Sequence, residues 1–170
     1  MTVRARDEAA EALALHLLAA PVVSRAARVA CYLSMPSEPG TRPLIDGLIA
    51  RGTEVVVPLS LADGSLDWVA YDPAAPVTET ALGIPEPEGD RLGAAALETC
   101  ALVIVPALAV DHAGQRLGRG AGYYDRALAG VGAPLCALVF AHELLAEVPH
   151  EPHDIPVQMA VTPQGLFRVP

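Results

Sequence analysis

The sequence predicts an α/β fold of three layers, α-β-α, built on a mostly parallel sheet. Short aliphatic runs alternate with helix-compatible stretches along the chain, and the runs are apolar at consecutive positions, as in Val55-Val56-Val57 and Leu102-Val103-Ile104-Val105. A strand apolar on both faces has to be covered on both, which is the habit of parallel sheets flanked by helices. The chain has 170 residues, 52% of them hydrophobic and 18% charged, which suits one domain, residues 1–170, with a substantial core.

The elements follow in order. Residues 5 to 20, rich in Ala and Leu and stopped before Pro21, predict a helix, and Ala27 to Leu33 a buried strand. Thr41 reads as the N-cap of a helix running to Arg51, with Pro43 in its first turn and Gly52 at its end. Val55 to Val57 is a second strand, and Asp63-Gly64 a turn into a third, Leu66 to Tyr71, where Trp68 serves the core or sheet surface. Residues 72 to 90 carry many prolines and no periodicity, so an irregular segment is expected there. A helix from Leu92 to Glu98, a strand from Ala101 to Val105, a helix from Tyr123 to Ala129 and a strand from Leu135 to Phe140 complete the reading. Ligands of such sheets bind beyond the strand C-termini, which makes the loops after Leu33, Val105 and Phe140 neighbours at one site.

The net charge of −9 argues against a nucleic-acid surface, because phosphate backbones are held by basic patches. No apolar run reaches the length of a membrane span and no basic-then-apolar leader opens the chain, so a cytoplasmic protein without membrane partners is expected. Cys31, Cys100 and Cys136 are odd in number, widely spaced and set in or beside apolar runs, so they read as reduced, buried thiols.

One loop carries the chemistry. Gln115-Arg116-Leu117-Gly118-Arg119-Gly120-Ala121-Gly122-Tyr123-Tyr124-Asp125 combines two guanidinium groups, alternating glycines and a carboxylate just before a helix. Glycine lets backbone approach a ligand closely, and arginine offers forked donors that match phosphate oxygens. The spacing is neither the dinucleotide fingerprint nor a P-loop. His142-Glu143 begins like a zincin helix but lacks its second histidine, and His150 to Asp154 lacks a third ligand for zinc.

The string from Arg116 to Asp125, following the strand Leu102 to Pro106, resembles the signature of the 5-formyltetrahydrofolate cyclo-ligases, or 5,10-methenyltetrahydrofolate synthetases. Leu33-Ser34-Met35-Pro36-Ser37-Glu38 with Thr41, the loop Gly83 to Pro87, and His153-Asp154 fall in the same order as in that family, and the similarity runs from about residue 12 to 165. The resemblance implies a fold similar to the NagB/RpiA/CoA-transferase-like proteins. It also implies a reaction in which ATP with Mg2+ phosphorylates the N5-formyl oxygen of 5-formyltetrahydrofolate, N10 attacks, and 5,10-methenyltetrahydrofolate, ADP and phosphate are released.

Carried over residue by residue, the resemblance assigns ATP binding to Arg116, Leu117, Gly118, Arg119, Gly120, Ala121, Gly122, Tyr123 and Tyr124. It assigns folate contacts to Leu33, Met35, Glu38, Arg119, Gly120 and Tyr123, catalysis to Arg119 and Tyr123, and Mg2+ to Asp125 and Asp154. A carboxylate at position 38 can accept the paired N–H donors of a pterin. The expected partners are small molecules, with the protein a monomer or alternatively a dimer.

Three departures stand out. The first helix looks shortened and lacks a basic phosphate-binding pair unless Arg4 or Arg6 substitutes; Ala121 stands where many members carry Lys; Gln158 and Leu82 replace an acid and an aromatic. They leave open an alternative, a weak or inactive homologue that binds reduced folate. A phosphosugar isomerase of the same broad fold is supported by fold analogy alone.

Overall fold

The computed structural model describes residues 1–80 and 83–169, and Leu82 lies outside them. A seven-stranded sheet runs through the molecule in the order β12-β11-β9-β6-β1-β2-β3. Its strands are β1 (Arg28–Ala30), β2 (Glu54–Ser60), β3 (Leu66–Ala70), β6 (Leu102–Pro106), β9 (Leu135–Leu138), β11 (Met159–Thr162) and β12 (Gly165–Arg168). The five inner strands are mutually parallel, and β3 and β12 close the two edges antiparallel.

Consecutive apolar residues feed opposite faces. Val29, Val55, Val57, Leu102 and Ile104 pack on one side with Leu13 and Leu17 of α1 (Val3–Leu18) and Leu44, Ile45 and Leu48 of α3 (Arg42–Ala50). Ala30, Val56, Val103 and Val105 pack on the other with Trp68, Leu97 and Leu128. Each such aliphatic side chain contributes about 1.5–3 kcal/mol by leaving water, so Leu13→Ala or Leu48→Ala would be among the costlier core changes. The helices of the first layer approach closely: a Cβ at Gly47 would lie 2.5 Å from Leu18 Cδ1. That approach explains a glycine inside α3.

The expected helix from residue 5 to 20 forms as α1, capped by Thr2, whose Oγ1 accepts from Ala5 N. Instead of merely stopping it, Pro21 sits at the first position of a separate short helix, α2 (Pro21–Ser24), where its missing N–H costs nothing. Strands expected at 27–33 and 135–140 leave their ladders early. Beyond Ala30 a single bond follows, Cys31 N to Val56 O, and beyond Leu138 the chain likewise keeps Val139 N to Val161 O.

The helix expected at 92–98 is a 3-10 turn, Ala94–Thr99, because Gly93 turns the backbone at φ 74° and Leu92 N is already bonded to Trp68 O. The segment 72–90, expected to be irregular, contains a small hairpin, β4 (Val77–Glu79) with β5 (Pro85–Pro87). Two further elements went unforeseen: the β11–β12 hairpin, and a three-stranded sheet of β7 (Ala109–Asp111), β8 (Arg116–Leu117) and β10 (Leu144–Leu145). The last helix, α4, is Tyr123–Leu128.

All three cysteines are buried and free. Burial pushes the Cys100 thiol up to about 11 and the Cys136 thiol up to about 12. Among the described residues no helix is long and apolar enough to cross a membrane.

Candidate active site

Chain order and strand order diverge at β1, which sends its successor β2 to one side while β6 lies on the other. Loops leaving such a switch point part company and open a crevice at the strand C-termini. A cavity of about 400 Å³ opens there, walled by the ends of β1, β2 and β6, by Ile84 and Pro85, and by residues 118–125. The hairpin bearing Ile84 and Pro85 is moored by Ser60 N donating to Glu86 Oε1 at 2.6 Å.

On one wall lie Leu33, Met35 and Glu38. Their loop is held by its own side chains: Ser34 N donates to Thr41 Oγ1 and Thr41 N to Ser34 Oγ, each at 3.1 Å, and Met35 N donates to Glu38 Oε2 at 2.8 Å. Thr41 therefore stands at the N-cap position without making a side-chain cap bond. Its hydroxyl faces backward, into the loop.

The opposite wall is the glycine loop, delivered by the β7–β8 hairpin. Asp111 organises that hairpin by accepting from the N–H groups of Ala113, Gln115 and Val148. Burial works against its negative charge, yet these donors outweigh it and hold the carboxyl below its ordinary value. Arg116, its side chain 3% exposed, donates to Asp125 Oδ1 at 2.7 Å and to Pro106 O at 3.3 Å, with its guanidinium carbon 5.9 Å from the Tyr124 ring centroid. Its Nε is buried without a partner. Gly118, Arg119, Gly120, Ala121 and Gly122 line the cavity, with Gly120 and Gly122 at φ 83° and 69°, where a side chain would strain the turn.

Arg119 crosses the mouth. It donates to Glu38 Oε1 at 3.2 Å and to Ser37 Oγ at 3.3 Å, joining loops 81 residues apart in sequence. Tyr123 and Tyr124 complete the wall, the Tyr123 hydroxyl donating to Leu61 O at 3.4 Å. Burial pushes the Tyr124 hydroxyl well up, an effect that the charge of Arg116 opposes. Glu143 is held above the usual carboxylate range by burial, against the bond from Phe140 N, and the charge of Glu38 adds to the rise.

The residues expected at the site are thus gathered with two exceptions. Leu117 lies outside the cavity, 38% exposed, and Asp154 lies beyond its lining, accepting from Glu151 N at 2.7 Å. Asp154 is nonetheless next in sequence to Ile155, whose N–H reaches Asp125 Oδ1 at 3.5 Å. Among the described residues no three His, Cys, Asp or Glu side chains form a metal cluster. A hard cation that keeps several waters and binds substrate phosphates needs only one or two protein carboxylates, so Asp125 on the cavity wall fits Mg2+ as a ligand.

Arg4 pairs with Glu8 at the surface, and neither it nor Arg6 lines the cavity. Gln158 uses both ends of its amide, accepting from Leu135 N at 2.8 Å and donating to Pro156 O at 3.1 Å. A carboxylate could not do both. Tyr32, Pro58, Ser60, Leu66, Pro106, Ala107 and Leu108 also line the cavity and were not foreseen. Most stand at or just beyond strand C-termini, and ranking residues by distance from predicted strand C-termini would have found those, though not Leu66 at the start of β3.

A family model described as the 5-formyltetrahydrofolate cyclo-ligase family matches residues 1–163. The chain is 39% identical over 166 residues to a Mycolicibacterium smegmatis protein named 5-formyltetrahydrofolate cyclo-ligase, covering 94% of this chain and 84% of that one. It is 33% identical over 173 residues to the Escherichia coli protein of the same name, covering 99% and 95%. The solved Aquifex aeolicus 5,10-methenyltetrahydrofolate synthetase superposes with a TM-score of 0.83 at 27% identity, covering 99% of this chain and 85% of that one.

Proposed function

Because the chain belongs to the 5-formyltetrahydrofolate cyclo-ligase family, we propose that it converts 5-formyltetrahydrofolate to 5,10-methenyltetrahydrofolate at the expense of ATP, as one catalytic domain. In this reading the N5-formyl oxygen attacks the γ-phosphorus and ADP leaves with the bonding electrons. N10 then adds to the activated formyl carbon, and phosphate departs with the C–O electron pair while N10 loses its proton.

The observation that carries this reading is the contact of Arg119 with Glu38, which brings a nucleotide-type loop and a folate-type loop to one cavity. Glu38 accepts N–H donors of the pterin ring. Leu33 and Met35 give that ring apolar contact. Arg119 shifts from Glu38 to the transferring phosphoryl group, whose charge it offsets as ADP departs, and the backbone N–H groups from Gly118 to Gly122 cradle the phosphates. Arg116 stays in the wall and fixes Asp125. Tyr123 and Tyr124 shape the channel between the two substrates and exclude water from it. Asp125 would hold Mg2+, which would supply neutralisation of phosphate charge when bound.

The test is turnover by purified protein supplied with 5-formyltetrahydrofolate and Mg-ATP, followed by the absorbance of the methenyl product. A rise that needs ATP and disappears with a chelator is expected. The outside position of Arg4 favours a second reading, folate binding without turnover. Heat released on mixing with 5-formyltetrahydrofolate but no absorbance gain would establish that reading and overturn the first.

A further inference from the structure

Arg126 has no place in the reaction just described, yet it makes four contacts at the outer side of the glycine loop. From the last turn of α4 its Nε donates to Gly64 O at 3.0 Å and its Nη2 to Ala121 O at 2.9 Å, with a second bond from Nη2 to Gly64 O. The guanidinium carbon also stands 5.6 Å from the Tyr123 ring centroid. Two glycines leave the room it occupies: a Cβ on Gly64 would lie 2.9 Å from Nη2, and one on Gly122 would lie 2.7 Å from Nη1.

The need for such a clamp follows from the loop's composition. Gly118, Gly120 and Gly122 carry no side chains to pack, and glycine loses more conformational freedom on ordering than any other residue. Arg119 cannot be the anchor if it must release Glu38 to meet phosphate. Gly64 belongs to the tight turn between β2 and β3, which is fixed by the sheet. A planar, permanently charged fork that bonds a fixed carbonyl and a loop carbonyl at once ties the glycine loop to the sheet.

We propose that Arg126 is a positioning residue that pre-orders the glycine loop and the Tyr123 ring for ATP, by clamping both to the β2–β3 turn. The inference rests on the cyclo-ligase reading, and it concerns ATP above all, since the folate loop holds its own shape through Ser34 and Thr41.

The experiment compares wild type with Arg126→Met and Arg126→Lys. Loss of charge-assisted bonds of this kind corresponds to about a tenfold effect or more. Arg126→Met should therefore raise KM for ATP about tenfold, leave KM for 5-formyltetrahydrofolate within about twofold, and speed amide hydrogen exchange at residues 118–123 while the β2 and β6 amides stay protected. Arg126→Lys should fall between. If KM for ATP and loop exchange are both unchanged, or if both substrates' KM values rise together, the clamp is refuted while cyclo-ligase activity stands. Absence of turnover in the wild type refutes the underlying reading instead, and the exchange comparison still decides whether Arg126 orders the loop.

Discussion

Between β1 and α3 the chain makes its own bonds, Ser34 with Thr41 and Met35 with Glu38, whereas the glycine turn across the cavity is held by Arg116 and Arg126, which flank it. The difference follows from side-chain content. A loop of Ser, Glu and Thr brings donors and acceptors with it, and a loop of glycines brings only backbone. A ligand meeting the first wall finds a prepared surface. A ligand meeting the second finds N–H groups whose aim depends on neighbours, so changes at the flanking arginines should register at the nucleotide and changes within the first loop at the folate.

The largest expected effect is at Arg116. Arg116→Met removes the buried partner of an ion pair whose carboxylate faces the cavity and should lower unfolding free energy by about 1.5–3 kcal/mol, read from urea melts. A much smaller loss would mean that the glycine loop is held from elsewhere. Next, Arg119→Ala at a half-exposed position should hardly move the melt, yet it should raise KM for ATP by about ten- to a hundredfold. An effect confined to folate would exchange the roles assigned to the two walls.

Thr41→Val keeps shape and deletes the bond from Ser34 N to Thr41 Oγ1, while the backbone N–H of residue 41 still donates to Ser34 Oγ. It should cost about 1 kcal/mol and weaken 5-formyltetrahydrofolate binding in calorimetry without altering KM for ATP. The smallest effect is one of pH. The folded-state pKa of Asp111 lies below its unfolded value of about 3.9, so the stability it carries is present above that pH and is lost as pH falls through the depressed value. Asp111→Asn should flatten the acid limb of the stability profile below about pH 4, and an unchanged limb would assign acid sensitivity to other carboxylates.

The layers and the glycine loop were legible because both rest on local sequence. Apolar runs mark inner strands, and alternating glycines beside arginines mark a turn built to approach an anion. The Asp63-Gly64 turn was legible for the same reason. The sheet of β7, β8 and β10 was not, since its strands are two or three residues long and Leu144 pairs with Val110 far upstream. Tertiary context also reassigned Thr41, whose position fits an N-cap but whose hydroxyl finds a better partner in Ser34 N. Arg126 was invisible for a related reason: its meaning lies in the carbonyl of Gly64, 62 residues away.

The three enclosed thiols have a practical consequence. Only the thiolate attacks an alkylating reagent, and at neutral pH the native environments of Cys31, Cys100 and Cys136 keep each sulfur protonated and out of reach. Cys31 and Cys136 sit on β1 and β9 sides of the same layer, whereas Cys100 guards the entrance to β6 from the other. Labelling by iodoacetamide thus becomes a clock for separate opening of the two layers, and it needs no engineered probe.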